Sequence, residues 1–277
     1  MSTTSERPLA GCVVGISISE SRDMERLGFV HSDMNRCVVR VSEALLAAGA
    51  RLAFGHDWRP GGVMMAVAAL AVRYFRLGEL PGEKSGEPAP ILNRVAPPDV
   101  PFLLQETSPG ESAQSAGAPD PLIRMLKGIV DARQVAVPDG TDRPKALSFL
   151  RKELAELCDI RICLGGKIKK GEYTGAMPGI VEEALGALRN ERPVLTSAIF
   201  GGASAFLVHA IQKGADGAPE ELRDQATEIR ELWPRASRGL DPNEQPSLWK
   251  ATSIDRCVEL ILRSAIQLSA QQRSGSH

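Results

Sequence analysis

Several common sources of function are missing from this 277-residue sequence. No apolar run approaches the ~20 residues needed to cross a bilayer. Residues 1–10 are polar and lack the apolar core of a secretory signal, so a cytoplasmic protein is expected. The formal net charge is −1, which leaves no broad basic field for duplex nucleic acid. The five cysteines, Cys12, Cys37, Cys158, Cys163 and Cys257, form no CxxC pair and lie mostly among apolar residues, as reduced buried thiols do. His31, His56, His209 and His277 show no metal-ligand spacing, so no metal and no resident cofactor are expected. There is no GxGxxG fingerprint, no GxxxxGKS/T phosphate loop and no GxSxG nucleophile elbow. Their absence speaks against an ordinary dinucleotide enzyme, a P-loop NTPase and an α/β-hydrolase. No internal repeat is present.

What is present is an alternation of apolar strands and amphipathic helices. Residues 12–18 are β-branched and nearly continuous in apolar character, as buried parallel strands are. Met34, Cys37, Val38, Val41, Ala44, Leu45 and Ala48 then recur at three- and four-residue spacing, which predicts a helix ending at Gly49. Residues 51–54 read as a second strand and complete a βαβ unit. A second helix runs from near Gly61 to Phe75, and residues 90–95 form a short strand candidate. Further strands are expected at Val135–Val137, Asp159–Leu164 and Pro193–Thr196. Between them lie a helix capped by Thr141 or Asp142 with Pro144 in its first turn, a helix opened by Pro178, and a helix from Gly202. A last helix carries Ile254, Cys257, Val258, Ile261, Leu262, Ala265 and Ile266; its apolar stripe either caps the core or offers a surface for self-association. Repeated βα units predict an α/β, Rossmann-like, mostly parallel sheet with helices on both faces.

In such sheets ligands bind beyond the carboxyl ends of the strands. Four strand ends carry candidate ligand-binding residues. The first offers Ser17, Ser19 and Arg22, with hydroxyls and a cation suited to phosphate, unless it is only a polar turn. The second offers His56, Asp57, Arg59, Gly61 and Gly62. Its glycines permit close backbone approach, and its polar groups suit a ribose, a base or phosphate; otherwise it is a turn that needs glycine. The third offers Gly165, Gly166 and Lys167, whose position after a strand is expected to leave backbone N–H groups free for an anion. It continues to Pro178 and Gly179 and to Glu182 and Glu183 in the first helical turn. The fourth offers Gly201 and Gly202. Residues one apart on a helix point about 100° away from each other, so one of the two glutamates is expected to face the cleft and the other solvent, with the preference falling on Glu182.

These residues resemble the SLOG superfamily over about Val13 to Ile211. The superfamily joins the Lonely Guy phosphoribohydrolases, the DprA-like proteins and the sensor domains of melastatin-type TRP channels and bacterial antiphage proteins. Gly61-Gly62-Val63-Met64 looks like a Lonely Guy helix start. Pro178-Gly179-Ile180-Val181-Glu182-Glu183 resembles their PGGxGTxxE motif, and the whole series is similar to the prokaryotic relatives of the TRP-channel sensor. The second glycine and the Gly-Thr pair of PGGxGT are absent here, which weighs against monophosphate specificity and N-glycosidic cleavage.

The resemblance implies a ligand sensor for ADP-ribose or a related nucleotide, with a role in antiphage defence. Such a sensor would act alone or answer to a separately encoded effector. The alternative is a nucleotide N-glycoside hydrolase or transferase with Glu182 or Glu183 as its catalytic carboxylate. Homo-oligomers, dimers or larger, are expected from the same resemblance. The expected organisation is a flexible N-terminus over residues 1–10 and a nucleotide-binding domain over 11–214 with a mobile insertion at about 77–120. A helical extension over 215–270 is expected to pack on the same domain, followed by a tail over 271–277.

Overall fold

The computed structural model describes residues 7–55, 63–76, 88–99, 126 and 128–274. Six strands form one sheet: β1 (Val13–Ser19), β2 (Arg51–Gly55), β3 (Ile91–Val95), β4 (Val130–Gln134), β5 (Ile160–Gly165) and β6 (Val194–Ser197). All pairings are parallel and the order is β4-β3-β2-β1-β5-β6. The chain thus builds outward from β1 on one side, then returns to build outward again through β5. The strand order reverses between β1 and β5, and the crevice at a reversal of this kind is where open α/β sheets take ligands.

Among the described residues, the α-helices with defined bounds are α1 (His31–Ala47), α2 (Val63–Arg76), α3 (Arg143–Leu157), α4 (Gly179–Arg189), α5 (Gly202–Lys213), α6 (Arg223–Ala236), α7 (Gln245–Trp249) and α8 (Ile254–Ser274). Asp142 is the N-cap of α3, its carboxylate accepting from the Lys145 N–H at 2.9 Å, with Pro144 in the first turn. Successive strand residues alternate between faces, and each face has its own core. Val14, Ile16, Leu52, Phe54 and Ile162 pack with α1, α2 and α8. On the other face, Val13, Ala53 and Leu92 pack under α3, and Cys163 and Val194 under α4, α5 and α6. The sheet is therefore covered on both sides, as the alternating pattern predicts.

One expectation is corrected. The fourth strand is Val130–Gln134, not Val135–Val137. It borders β3 alone among the described strands, and its Asp131, Arg133 and Gln134 hide it from a search for apolar runs; Val135 adds one more ladder bond, to the Val95 carbonyl at 2.9 Å. Of the two roles open to the apolar stripe of the last helix, the described residues fill the first: Ile254, Val258 and Ile261 are buried, and the partly buried Leu262 and Ile266 pack against the same core cluster. No described helix is long and apolar enough to cross a membrane.

Candidate functional site

β1 and β5 run in register to their ends, where Ser19 faces Gly165. The glycines beyond them do not behave as the sequence suggests. The N–H of Gly165 donates to Ser204 Oγ at 2.9 Å, and that of Gly166 to the Ser19 carbonyl at 2.8 Å. The Gly202 N–H, at the amino end of α5, donates to Asp23 Oδ2 at 2.9 Å. The expectation of free glycine N–H groups is therefore corrected, because neighbouring loops have already taken them. At Gly202, φ is +60°, and a Cβ would lie 2.0 Å from the Gly166 oxygen and 2.5 Å from Ser21 Cβ. Here glycine serves the joint between loops. Ser21 Oγ completes it by donating to the Phe200 carbonyl at 2.5 Å.

The remaining strand-end candidates divide by position. Arg22 is exposed and pairs with Glu172 at 2.7 Å; Lys167 is exposed. His56, Asp57, Arg59, Gly61 and Gly62 lie outside the described residues, as does the loop at 106–120.

The third strand end is where charge collects. Pro178 precedes α4 without a side-chain cap, and the first helical backbone bond runs from the Glu182 N–H to the Pro178 carbonyl at 3.0 Å. The N–H groups of the first turn ahead of it lack helical acceptors, as at any helix start. Against this end lies Arg151 from α3; a Cβ on Gly179 would come within 2.7 Å of its Nη2. Arg151 Nη1 donates to Glu182 Oε2 at 2.5 Å, and its Nε stands 4.0 Å from Glu183 Oε1. The Glu182 and Glu183 side chains are only 20% and 17% exposed, so neither faces solvent, contrary to the expectation from their 100° separation. Arg151 reaches between α3 and α4 and covers both.

Beneath Glu183 the sheet face is polar. The Ser17 hydroxyl donates a short hydrogen bond to Glu183 Oε2, and Arg161 Nη1 lies 3.5 Å from the same oxygen. Burial opposes the charge on Arg161, but Cys158, Glu183 and Cys163 outweigh it and hold the guanidinium above its ordinary pKa. Burial pushes the Cys163 thiol up to about 12 despite that cation. Two guanidiniums thus balance two carboxylates between the sheet and helices α3 and α4. Among the described residues, no group of three His, Cys, Asp or Glu side chains is placed to hold a metal ion.

Arg151 and Arg161 are absent from the candidates drawn from sequence. Arg151 looks like any solvated arginine of an amphipathic helix. Arg161 did carry a signal: it stands in the apolar run Ile160 to Leu164, and a charged residue at such a position is almost always paired.

No curated protein matches the chain. A family model described as SLOG cluster 2 matches residues 8–250, a span that holds all six strands, the β1–β5 crevice and both glutamates. That family is one of nucleotide-related binding or nucleoside processing. With its Rossmann-like sheet and its match over most of its length, the chain belongs to the SLOG superfamily, in cluster 2.

Proposed function

We propose that the β1–β5 crevice binds an ADP-ribose-like nucleotide or nucleotide-sugar and that the protein acts as a sensor of it. The observation that carries this is the uncapped amino end of α4 with Arg151 laid against Gly179 and two carboxylates directly behind. An uncapped helix start beside a guanidinium favours an anion such as phosphate. Carboxylates accept hydrogen bonds and suit ribose hydroxyls. Phosphate and ribose are adjacent in a nucleotide, as the two kinds of group are here.

Recognition is placed ahead of turnover for two reasons. The Gly-Thr pair of the Lonely Guy loop is missing, and Glu182 is joined to Arg151 as Glu183 is to Ser17 and Arg161. One observation favours the second reading, an N-glycosidase: Glu183 is held rigidly from below, as a carboxylate facing an oxocarbenium-like sugar must be.

Calorimetric titration with ADP-ribose, NAD and AMP tests the proposal. Heat with at least one of them, without released base or ribose phosphate, is expected. Absence of heat and of thermal shift with all three would overturn it, and release of base would turn it into the second reading.

A further inference from the structure

Arg161 is completely buried, as the second residue of β5. The sheet makes room for it: its register partner is Gly15, where a Cβ would lie 2.6 Å from Arg161 Cζ and 2.5 Å from Cys158 Sγ. Burying a guanidinium is costly unless its partners are well placed. One edge of this one is anchored, with Nη2 donating to the Leu154 carbonyl at 2.7 Å and to Cys158 Sγ at 3.4 Å. Nε has no acceptor. A purely structural anchor would need only the Nη2 contacts.

The other edge points toward Ser17 and Glu183. Nη1 donates to Ser17 Oγ at 3.3 Å, and the one proton of Ser17 goes on to Glu183 Oε2. Nη1 also lies 3.5 Å from that same carboxylate oxygen. The chain of donors therefore has a direction, from Arg161 through Ser17 to Glu183, and it ends on one oxygen only. Oε1 is left on the Arg151 side, at 4.0 Å from Nε. An unrestrained glutamate on a helix samples several rotamers; this one is held before any ligand arrives.

The geometry points to Arg161 as a positioning residue: with Ser17 it pins Oε2 of Glu183, so that Oε1 is presented to the ligand in one orientation. This rests on the proposal that the crevice takes a nucleotide ligand. Gly15 belongs to the same device, because any side chain there would expel the guanidinium. The arrangement keeps Glu183 an acceptor, matched to a ligand hydroxyl rather than to a second carbonyl or carboxylate.

A four-protein cycle tests this: the natural chain, Arg161→Met, Glu183→Gln and the double variant. Each is melted and titrated with ADP-ribose. Arg161→Met is expected to lower affinity about tenfold or more, the worth of one hydrogen bond to a charged group. In the Glu183→Gln background the same change is expected to cost no further affinity. The double variant is expected to melt higher than Arg161→Met alone, because it leaves no buried carboxylate unpaired. Arg161→Lys, which keeps the charge, is expected to restore melting more than affinity, since a lysine lacks the second arm that reaches Ser17.

Natural affinity in a folded Arg161→Met, or additive effects in both melting and affinity, would overturn the inference. Should Arg161→Met fail to fold, the double variant takes its place; its failing as well would show Arg161 to be an anchor for Leu154 alone and also overturn it. If the natural chain gives no heat with ADP-ribose, NAD or AMP, the nucleotide proposal falls. The melting cycle then decides by itself, coupling supporting the tie between Arg161 and Glu183 and additivity overturning it.

Discussion

Alternate residues of β1 belong to different worlds. Val14 and Ile16 point into the apolar layer under α1, α2 and α8. Gly15 and Ser17, one position away, face Arg161 and Glu183 under α3 and α4. One face of the sheet is held chiefly by burial of apolar area, aliphatic and aromatic, with tolerance for volume-conserving exchange. The other is held in part by directional bonds among four charged groups and a serine. A strand that reads as one apolar run thus separates stability from recognition by side-chain parity.

Substitutions on each face sharpen or break that separation. Ile16→Ala, on the aliphatic face, is expected to cost about 3 kcal/mol in denaturant unfolding. Its folded fraction should keep the ADP-ribose affinity of the natural chain, and a parallel loss of affinity would show that the faces are not independent. Gly202→Ala places a Cβ 2.0 Å from the Gly166 oxygen at a φ of +60°. About 2 kcal/mol of stability should go with it, read by thermal melting. Arg151→Met, at the mouth of the polar face, is expected to lower ADP-ribose affinity about tenfold, near 1.4 kcal/mol, while leaving the melting temperature within a few degrees. Of the two acids, Glu183→Gln should change affinity more than Glu182→Gln, because Glu183 alone is fixed from beneath; titration of both variants checks this.

The smallest effect compares the faces through their thiols. Cys12 packs with the aliphatic face and Cys163 with the other. Burial raises both from 9.0 to about 12. A pKa raised by folding favours the protonated native form, so its contribution is fully present below pH 9 and is lost as pH climbs toward 12. Near pH 9 the loss is only about 0.4 kcal/mol per thiol, and it grows with further alkali. Urea midpoints measured from pH 7 to 9 should fall accordingly, and a flat profile would contradict it.

Much of the fold was legible because buried parallel strands and amphipathic helices leave strong periods. The strands at 13–19, 51–55, 160–165 and 194–197 and helices α1, α3, α4 and α5 all stand where the pattern puts them. β4 was not legible, since its polar residues carry no apolar period. At the site, sequence spacing brought Ser17, Gly179, Glu182 and Glu183 to one strand-end region but could not show that Arg151 would cross from another helix to join them. Nor could it show what fills the space beside a glycine. Gly165, Gly166 and Gly202 read as openings for an anion, yet their donors are consumed by Ser204, Ser19 and Asp23, partners far off in sequence. Arg161 was visible as an oddity in an apolar run, and only the pairing with Gly15 gives it a place.

The Asp23 carboxylate on the amino end of α5 has a consequence for traffic. Together with Ser21 on the Phe200 carbonyl and Arg22 on Glu172, it stitches the turn after β1 to the segments that follow β5 and β6. Those turns form a seam, and opening it would break a charge-assisted bond at a helix start. Across the groove between α3 and α4, a space of about 270 Å³ lined by Ser148, Arg151, Lys152 and Glu182, the tie among the described residues is Arg151 alone, paired with Glu182 and close to Glu183. A visitor to the crevice therefore meets a border sewn at three points on the α5 side and one salt-bridged arginine on the other. An anion arriving at the amino end of α4 competes with Glu182 for that one guanidinium.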